Sequence, residues 1–345
     1  MRPLTVCAVQ CGPSSPNTRE NVKALLELTR DVITRHRPDI ICLSELATTP
    51  YFCVSPDPAW FDLAEPIPGP STEAFGVLAR AHRVHILLPI FERTEAGAHY
   101  NSAVLINADG GLTPGRLPDG SLVSCYRKTH IPATFDAQGV LRSHEKSYFS
   151  PGPGLPVFDT VHGRIGILIC YDKRFTEAWR ILALRGAEVV FNPVASWGES
   201  AQSVYAAECQ VMALYNQVFV VGCGKAGEEV LGFPKTFAGG AHVCAPDGRM
   251  VATAPAEPWA VVVTTIDLDE VWRVRRQKAL SRDRRPELYA PLTSAEPHFF
   301  PGRDANDRKT LTNQIADADT PIVSFSRPRN VATERISAVP QLGPE

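Results

Sequence analysis

The sequence predicts an α/β fold. Short β-branched apolar runs, such as DIICL at 39–43 and GRIGILIC at 163–170, alternate with segments whose apolar residues recur at helical spacing. Those runs are apolar at successive positions, the pattern of strands covered on both faces. The 345 residues are 44% apolar and 21% charged, enough to bury a large core. We read 1–300 as one α/β domain and 301–345 as a tail.

Leu4–Gln10 reads as the first strand. Thr18 is the predicted N-cap of a helix carrying Val22, Leu25, Leu26, Val32 and Ile33. Asp39–Leu43 is a buried strand that delivers Glu45 just past its end. Ser71 and Glu73 open a second helix with Phe75, Leu78 and Ala79. His85–Phe91 and Tyr100–Asn107 are strands, the latter closed by the turn Asn107–Gly111. Leu122–Tyr126 is a further strand running into Arg127 and Lys128. Ile131–Pro156 is long and irregular, a length that marks a functional or disordered loop.

Gly163–Cys170 is the next buried strand, followed by a helix with Phe175, Ala178, Trp179, Leu182 and Ala183. Glu188–Asn192, the helix Ala201–Tyr215 and the strand Val218–Cys223 come next. Ala241–Pro246 and Ala260–Ile266 are late strands, and Asp267 to about Lys278 is a last short helix. No period is sustained beyond Pro301, so 301–345 is expected as an extended or mobile tail draped over a partner subunit.

A formal net charge of −2 excludes a basic nucleic-acid glove or an acidic disordered chain as the dominant design. No apolar run approaches the roughly 20 residues that span a bilayer. The start, MRPLTVCAVQC, reads at once as a strand rather than an export signal, and the expected location is the cytoplasm. The nine cysteines are odd in number and several lie in apolar runs, which fits reduced thiols. Cys7 and Cys11 could form a zinc half-site, but no second pair at suitable spacing follows, so no metal is expected. Arg273–Arg285 is interrupted by apolar and acidic residues and reads as a helix and connecting segment at a subunit contact. The expected partner is a small molecule, with neither nucleic acid nor membrane.

Glu45, Lys128 and Cys170 share one placement, at or just past the C-terminal end of a strand-like run. Ligand sites of α/β sheets gather there. A carboxylate can take a thiol proton and later activate water, while an ammonium and a backbone N–H at a strand-to-helix turn can hold an oxyanion. Singly, each residue has a plainer reading. Cys170 is a small buried hydrophobe, Glu45 a cap or surface ion pair, and Lys128 a solvated strand-end charge.

The strings LSELATTPYF, YRKTHIP and GILICYDKRFTEAWRILALRGAEVV resemble, in order and spacing, the three signature segments of the nitrilase, or carbon–nitrogen hydrolase, superfamily. The resemblance covers about Leu4 to Leu292. It implies a four-layer α-β-β-α sandwich, homodimers or higher homo-oligomers meeting through the helical layers, and no cofactor. It also implies a Glu–Lys–Cys triad, here Glu45, Lys128 and Cys170. In SHEKSYFSPG it gives Glu145 the role of a second carboxylate holding the lysine, where the plainer reading is a loop charge. His144 and His130 match pocket histidines of the N-carbamoyl-D-amino-acid amidohydrolases, and packing or loop-pinning is the alternative for each.

Three branches compete for the substrate. The D-carbamoylases follow the nucleophile with Asn-Asp-Arg-Arg, whose arginines grip the substrate carboxylate. Here Tyr171, Asp172, Lys173 and Arg174 follow, so Arg174 keeps the bidentate fork and Lys173 offers a point charge. The alternative is that one of these cations merely pairs with Asp172 or Glu177. PYFC and VWRVRRQKALSRDRRPELYAPL are similar to β-ureidopropionase and N-carbamoylputrescine amidase, whereas CYDKRF resembles the ω-amidases. The Cys-Trp-Glu string of true nitrilases is absent. Asn192 is a candidate pocket residue, or alternatively a turn former before Pro193. Glu208, on a face with Val204, Val211, Met212 and Tyr215, is expected to need a buried partner. The resemblance thus implies hydrolysis of an N-carbamoyl amino acid to the amino acid, ammonia and carbon dioxide. An ω-amidase, or a ligand-binding member without turnover, is the alternative.

Overall fold

A computed structural model describes residues 1–135, 140–197, 199–231 and 233–294. Two compact units are distinguished, one over Met1–Lys278 and a second beginning at Ala279. The first opens with β1 (Pro3–Val9), α1 (Thr18–His36), β2 (Ile40–Leu43), α2 (Pro70–His82), β3 (His85–Arg93) and β4 (His99–Ile106). β1, β2 and β3 are parallel, and β4 returns antiparallel beside β3. The two-residue period of a strand sorts their side chains. Cys7, Val9, Ile41, Leu43, Ile86 and Leu88 pack with Leu25, Leu28 and Val32 of α1 and Phe75 and Leu78 of α2. Val6, Ala8, Cys42 and Leu87 join the core shared with the second sheet. Asn17 rather than Thr18 caps α1, because its side-chain oxygen reaches the Glu20 amide, leaving Thr18 as the first helical residue.

Next come β5 (Gly115–Arg116), β6 (Leu122–Val123) and β7 (Tyr126–Arg127). The single strand expected over Leu122–Tyr126 is therefore two, and they belong to different sheets. The chain crosses at Ser124 and Cys125, where the Cys125 thiol turns inward to Glu92 (3.7 Å). That crossing sets Lys128 beside the first sheet. Among its described residues, the stretch 131–156 holds β8 (Thr134–Phe135), β9 (Leu141–Ser143) and α3 (Glu145–Tyr148), elements the sequence reading lacked.

The chain continues through β10 (Val157–Asp159), β11 (Arg164–Ile167), α4 (Thr176–Leu184), β12 (Val189–Val194), α5 (Glu199–Asn216) and β13 (Phe219–Gly224). A hairpin absent from the sequence reading follows, β14 (Ala226–Leu231) with β15 (Phe233–Ala238). Then come β16 (His242–Cys244), β17 (Met250–Thr253), β18 (Val261–Asp267) and α6 (Asp269–Gln277). The first sheet runs β18-β1-β2-β3-β4-β7 and the second β17-β16-β13-β12-β11-β10-β5-β6.

The sheets face each other. The Cys223 thiol of β13 donates to the carbonyls of Val9 (3.0 Å) and Cys42 (3.3 Å), and Ser44 Oγ donates to Gly224 O (2.9 Å). Helices α4 and α5 lie on the outer side of the second sheet. Gly166 lets α4 close in, since a Cβ there would stand 2.9 Å from Leu182 Cδ1. The layers are those of the four-layer α-β-β-α sandwich. The face of α5 differs from the sequence reading. Tyr205, Cys209 and Ala213 enter the core, whereas Val204, Val211 and Tyr215 are exposed, because two apolar stripes lie side by side and only one can face the sheet.

The second unit holds two 3-10 turns, Pro286–Leu288 and Ala290–Thr293. The predicted tail, 301–345, lies outside the described residues. No helix among the described residues is long and apolar enough to cross a membrane.

Candidate active site

Strand β2 ends in a buried polar turn. Glu45 is fully buried there, and Leu46 follows at φ +50°. Glu45 Oε1 accepts from Lys128 Nζ and Asn101 Nδ2, both at 2.8 Å, and Oε2 accepts from the Ala195 amide at 2.8 Å. Four segments therefore converge on one carboxylate: the ends of β2, β7 and β12, and strand β4.

Lys128 is also fully buried, just past β7. Its ammonium reaches Glu45 Oε1 at 2.8 Å and Glu145 Oε2 at 2.6 Å. Burial works against this charge, but Glu145 and Glu45 outweigh it and hold Lys128 well above the ordinary lysine range. Burial pushes the Glu145 carboxyl up, against the pull of Lys128. Tyr51 OH donates to Glu145 Oε1 (2.8 Å) and contacts Ser143 Oγ (3.1 Å), which fixes the carboxylate from the side away from the lysine.

Cys170 opens the 3-10 turn Cys170–Arg174 after β11, which ends at Ile167 rather than at Cys170 as expected. Its φ of +45° is unusual for a residue with a Cβ and aims the side chain out of the strand line. Of the nine cysteines, all free, it is the one that is not fully buried. Cys7 and Cys11 lie instead in the apolar layer beneath α1 and α2. Burial, then the charge of Glu45, pushes the Cys170 thiol up to about 11, while Lys173 and Lys128 pull it down. Burial and the neighbouring carboxylate therefore favour the neutral thiol over the thiolate. Ser196 Oγ lies 3.7 Å from Sγ.

The other expected site residues divide. Tyr171 is partly exposed and meets Phe175 edge-on. Neither cation after it pairs with Asp172 or Glu177. Arg174 Nε lies 2.5 Å from Glu208 Oε1, and Lys173 Nζ lies 4.0 Å from Glu208 Oε2. The half-buried Glu208 thus finds its partners on the turn that Cys170 opens. Asn192 is buried in β12, where Nδ2 donates to Leu168 O (2.6 Å). It is held by the chain just past β11, not by a turn at Pro193. His130 pairs with Asp172 and stacks on Phe175. The His144 amide donates to Cys53 O (2.8 Å), placing it at the start of α3 beside Glu145.

Several residues escaped the sequence reading. Asn101 and Ser196 sit in ordinary-looking strand and loop text, with no signal to find them. Tyr51 lies within LSELATTPYF, where an aromatic hydroxyl six residues past the carboxylate was the available cue. Lys235, on the unpredicted hairpin, covers the Trp197 ring at 3.4 Å, and burial lowers its ammonium to about 8. In the sequence Asp172 reads only as an ion-pair partner.

The family model for carbon–nitrogen hydrolases matches residues 5–276. The chain belongs to the carbon–nitrogen hydrolase family. It is a hydrolase of carbon–nitrogen bonds other than peptide bonds. This hydrolase is 34% identical over 308 residues to an N-carbamoylputrescine amidase of Solanum lycopersicum, covering 86% of this chain and 96% of that one. It is 33% identical over 300 residues to a citrullinase of Francisella tularensis, covering 84% and 98%. A carbon–nitrogen hydrolase from Helicobacter pylori superposes with a TM-score of 0.75 at 27% identity, over 86% of this chain and all of that one.

Proposed function

We propose that the chain is a cofactor-independent thiol amidohydrolase of small N-carbamoyl compounds, with an N-carbamoyl amino acid as the first reading. The observation that carries it is the buried Lys128 ammonium held between Glu45 and Glu145, beside a cysteine at positive φ. Glu45 takes the thiol proton as Sγ bonds to the carbamoyl carbon. Lys128 and the Tyr171 amide hold the oxyanion. The carbon–nitrogen bond then breaks, and the amine leaves with the proton from Glu45. Water, deprotonated by the same carboxylate, attacks the carbamoyl-cysteine carbon; the proton returns to Sγ as the thiol leaves, and the carbamic acid released splits into ammonia and carbon dioxide.

Arg174 favours a second reading. Its guanidinium is already engaged by Glu208, which weakens it as a clamp for a substrate carboxylate and admits an N-carbamoyl amine instead. Ammonia release from N-carbamoyl-D- and L-amino acids, N-carbamoyl-β-alanine, N-carbamoylputrescine, citrulline and α-ketoglutaramate separates these readings, with Cys170→Ala as the blank. Turnover of carbamoyl acids supports the first, and turnover of N-carbamoylputrescine alone supports the second. Activity on α-ketoglutaramate alone would make it an ω-amidase. Undiminished activity in Cys170→Ala would sink the mechanism. We place a homo-oligomer contact on the outer face of α4 and α5, where Ile181, Leu184, Val211 and Tyr215 are exposed. Sedimentation of Tyr215→Lys against the parent tests it.

A further inference from the structure

Asp172 is wholly buried and lies two residues past the nucleophile, yet it touches neither Lys128 nor Glu45 through any hydrogen bond among the described residues. Its contacts run elsewhere. Oδ2 accepts from the Ile169 amide (3.0 Å) and from Tyr126 OH (2.6 Å). Oδ1 lies against the His130 amide (2.9 Å) and His130 Nδ1 (2.7 Å). Ile169 immediately precedes Cys170. Tyr126 and His130 flank Lys128 by two residues on each side. One carboxylate thus joins the backbone that presents the thiol to the strand end that presents the ammonium.

The joint is doubled by stacking. The His130 ring lies flat on Phe175, 3.6 Å between centroids and 9° between planes, and Phe175 caps the nucleophile turn. Tyr126 OH also contacts Thr129 Oγ1 at 3.1 Å, closing the Lys128 segment on itself. The two sides come from different sheets: β7 belongs to the first, and β11, which leads to Cys170, to the second. Main-chain ladder bonds cannot set their relative placement. A positive-φ nucleophile needs a support that over-determines its turn. A buried carboxylate accepting from four donors is such a support, because each bond to a charged acceptor is stronger than a neutral one.

We propose that Asp172, with Tyr126 and His130, is a positioning clamp that sets Cys170 against Lys128, and that His130 serves this clamp rather than the substrate. The proposal rests on Cys170 being the nucleophile. Asp172→Asn keeps the shape but replaces one acceptor oxygen with a donor. A misplacement on the order of 1 Å costs about 100-fold in rate. The expected result is a fall in kcat of about 100-fold, with KM within about threefold of the parent, because the binding surface is untouched. Alkylation of Cys170 by iodoacetamide, mapped by peptide mass, slows in the same variant. Asp172→Glu, which keeps the charge and both acceptors, recovers about tenfold or more of the lost kcat relative to Asn. Tyr126→Phe removes one bond and lowers kcat by about tenfold, and it stands in should Asp172→Asn not fold.

A folded Asp172→Asn with parental kcat and alkylation rate would overturn the clamp. So would a loss confined to KM, or, with Asp172→Asn unfolded, a Tyr126→Phe of parental kcat. If instead the parent is not labelled at Cys170 and Cys170→Ala still turns over, the nucleophile assignment fails first.

Discussion

Two groups of opposite charges lie around Cys170, and they differ in their exposure to water. Inside, Lys128 lies between Glu45 and Glu145 with essentially no solvent contact, and Asn101, Ala195 and Tyr51 satisfy the remaining carboxylate oxygens. Farther out, the exposed Arg174, 47% exposed at its side chain, and the buried Lys173 share Glu208. The inner charges must be exactly matched by partners, since an unpaired charge there has no water to turn to. Of the outer charges, Arg174 is the one screened by water, and its partner can be exchanged for a ligand's group. The difference separates a cluster fixed by its partners from an outer ion pair whose arginine faces water.

Removing the inner cation should have the largest effect. Lys128→Met leaves two buried carboxylates unbalanced and is expected to abolish ammonia release and to destabilise the fold by about 3–5 kcal/mol in urea unfolding. Parental stability in that variant would show that the two carboxylates share a proton and need no cation. A buried titratable group without a counter-charge sharpens the contrast. His242 is held by burial at about 4, below the ordinary 6.5, with Nδ1 against Gly240 O. Its folded pKa is depressed, so its contribution is present above pH 6.5 and is lost as pH falls towards 4. The parent should lose on the order of 2–3 kcal/mol over that window relative to His242→Gln. Parallel pH profiles of unfolding would refute it.

At the rim, Arg174→Ala should change stability by less than about 1 kcal/mol. If a carboxylate substrate displaces Glu208 from Arg174, its KM rises while kcat holds. An unchanged KM for every acidic substrate would assign Arg174 to the Glu208 contact alone.

Much of this was legible in the chain. Runs such as DIICL and GRIGILIC carry their own strand signal, and the placement of Glu45, Lys128 and Cys170 at strand ends follows from it. The division of Leu122–Tyr126 between two sheets was not legible, because Ser124 and Cys125 are as compatible with one strand as with a crossing. Nor was the face of α5, where two apolar stripes were available and packing against β13 chose one. The partner of Glu208 was equally hidden. Arg174 and Glu208 are far apart in the chain, and only the approach of α5 to the nucleophile turn pairs them.

The sequence by itself determined most of the strands and helices, because these depend on local periodicity, and it named Glu45, Lys128 and Cys170 as candidates; the four layers came from the family resemblance. Only the tertiary structure decided which groups share charge. Asp172 had local candidates in Lys173 and Arg174, yet its carboxylate closes on Ile169, Tyr126 and His130. Its two oxygens are buried where two sheets meet, and the donors that satisfy them arrive from strands whose meeting depends on how those sheets stack.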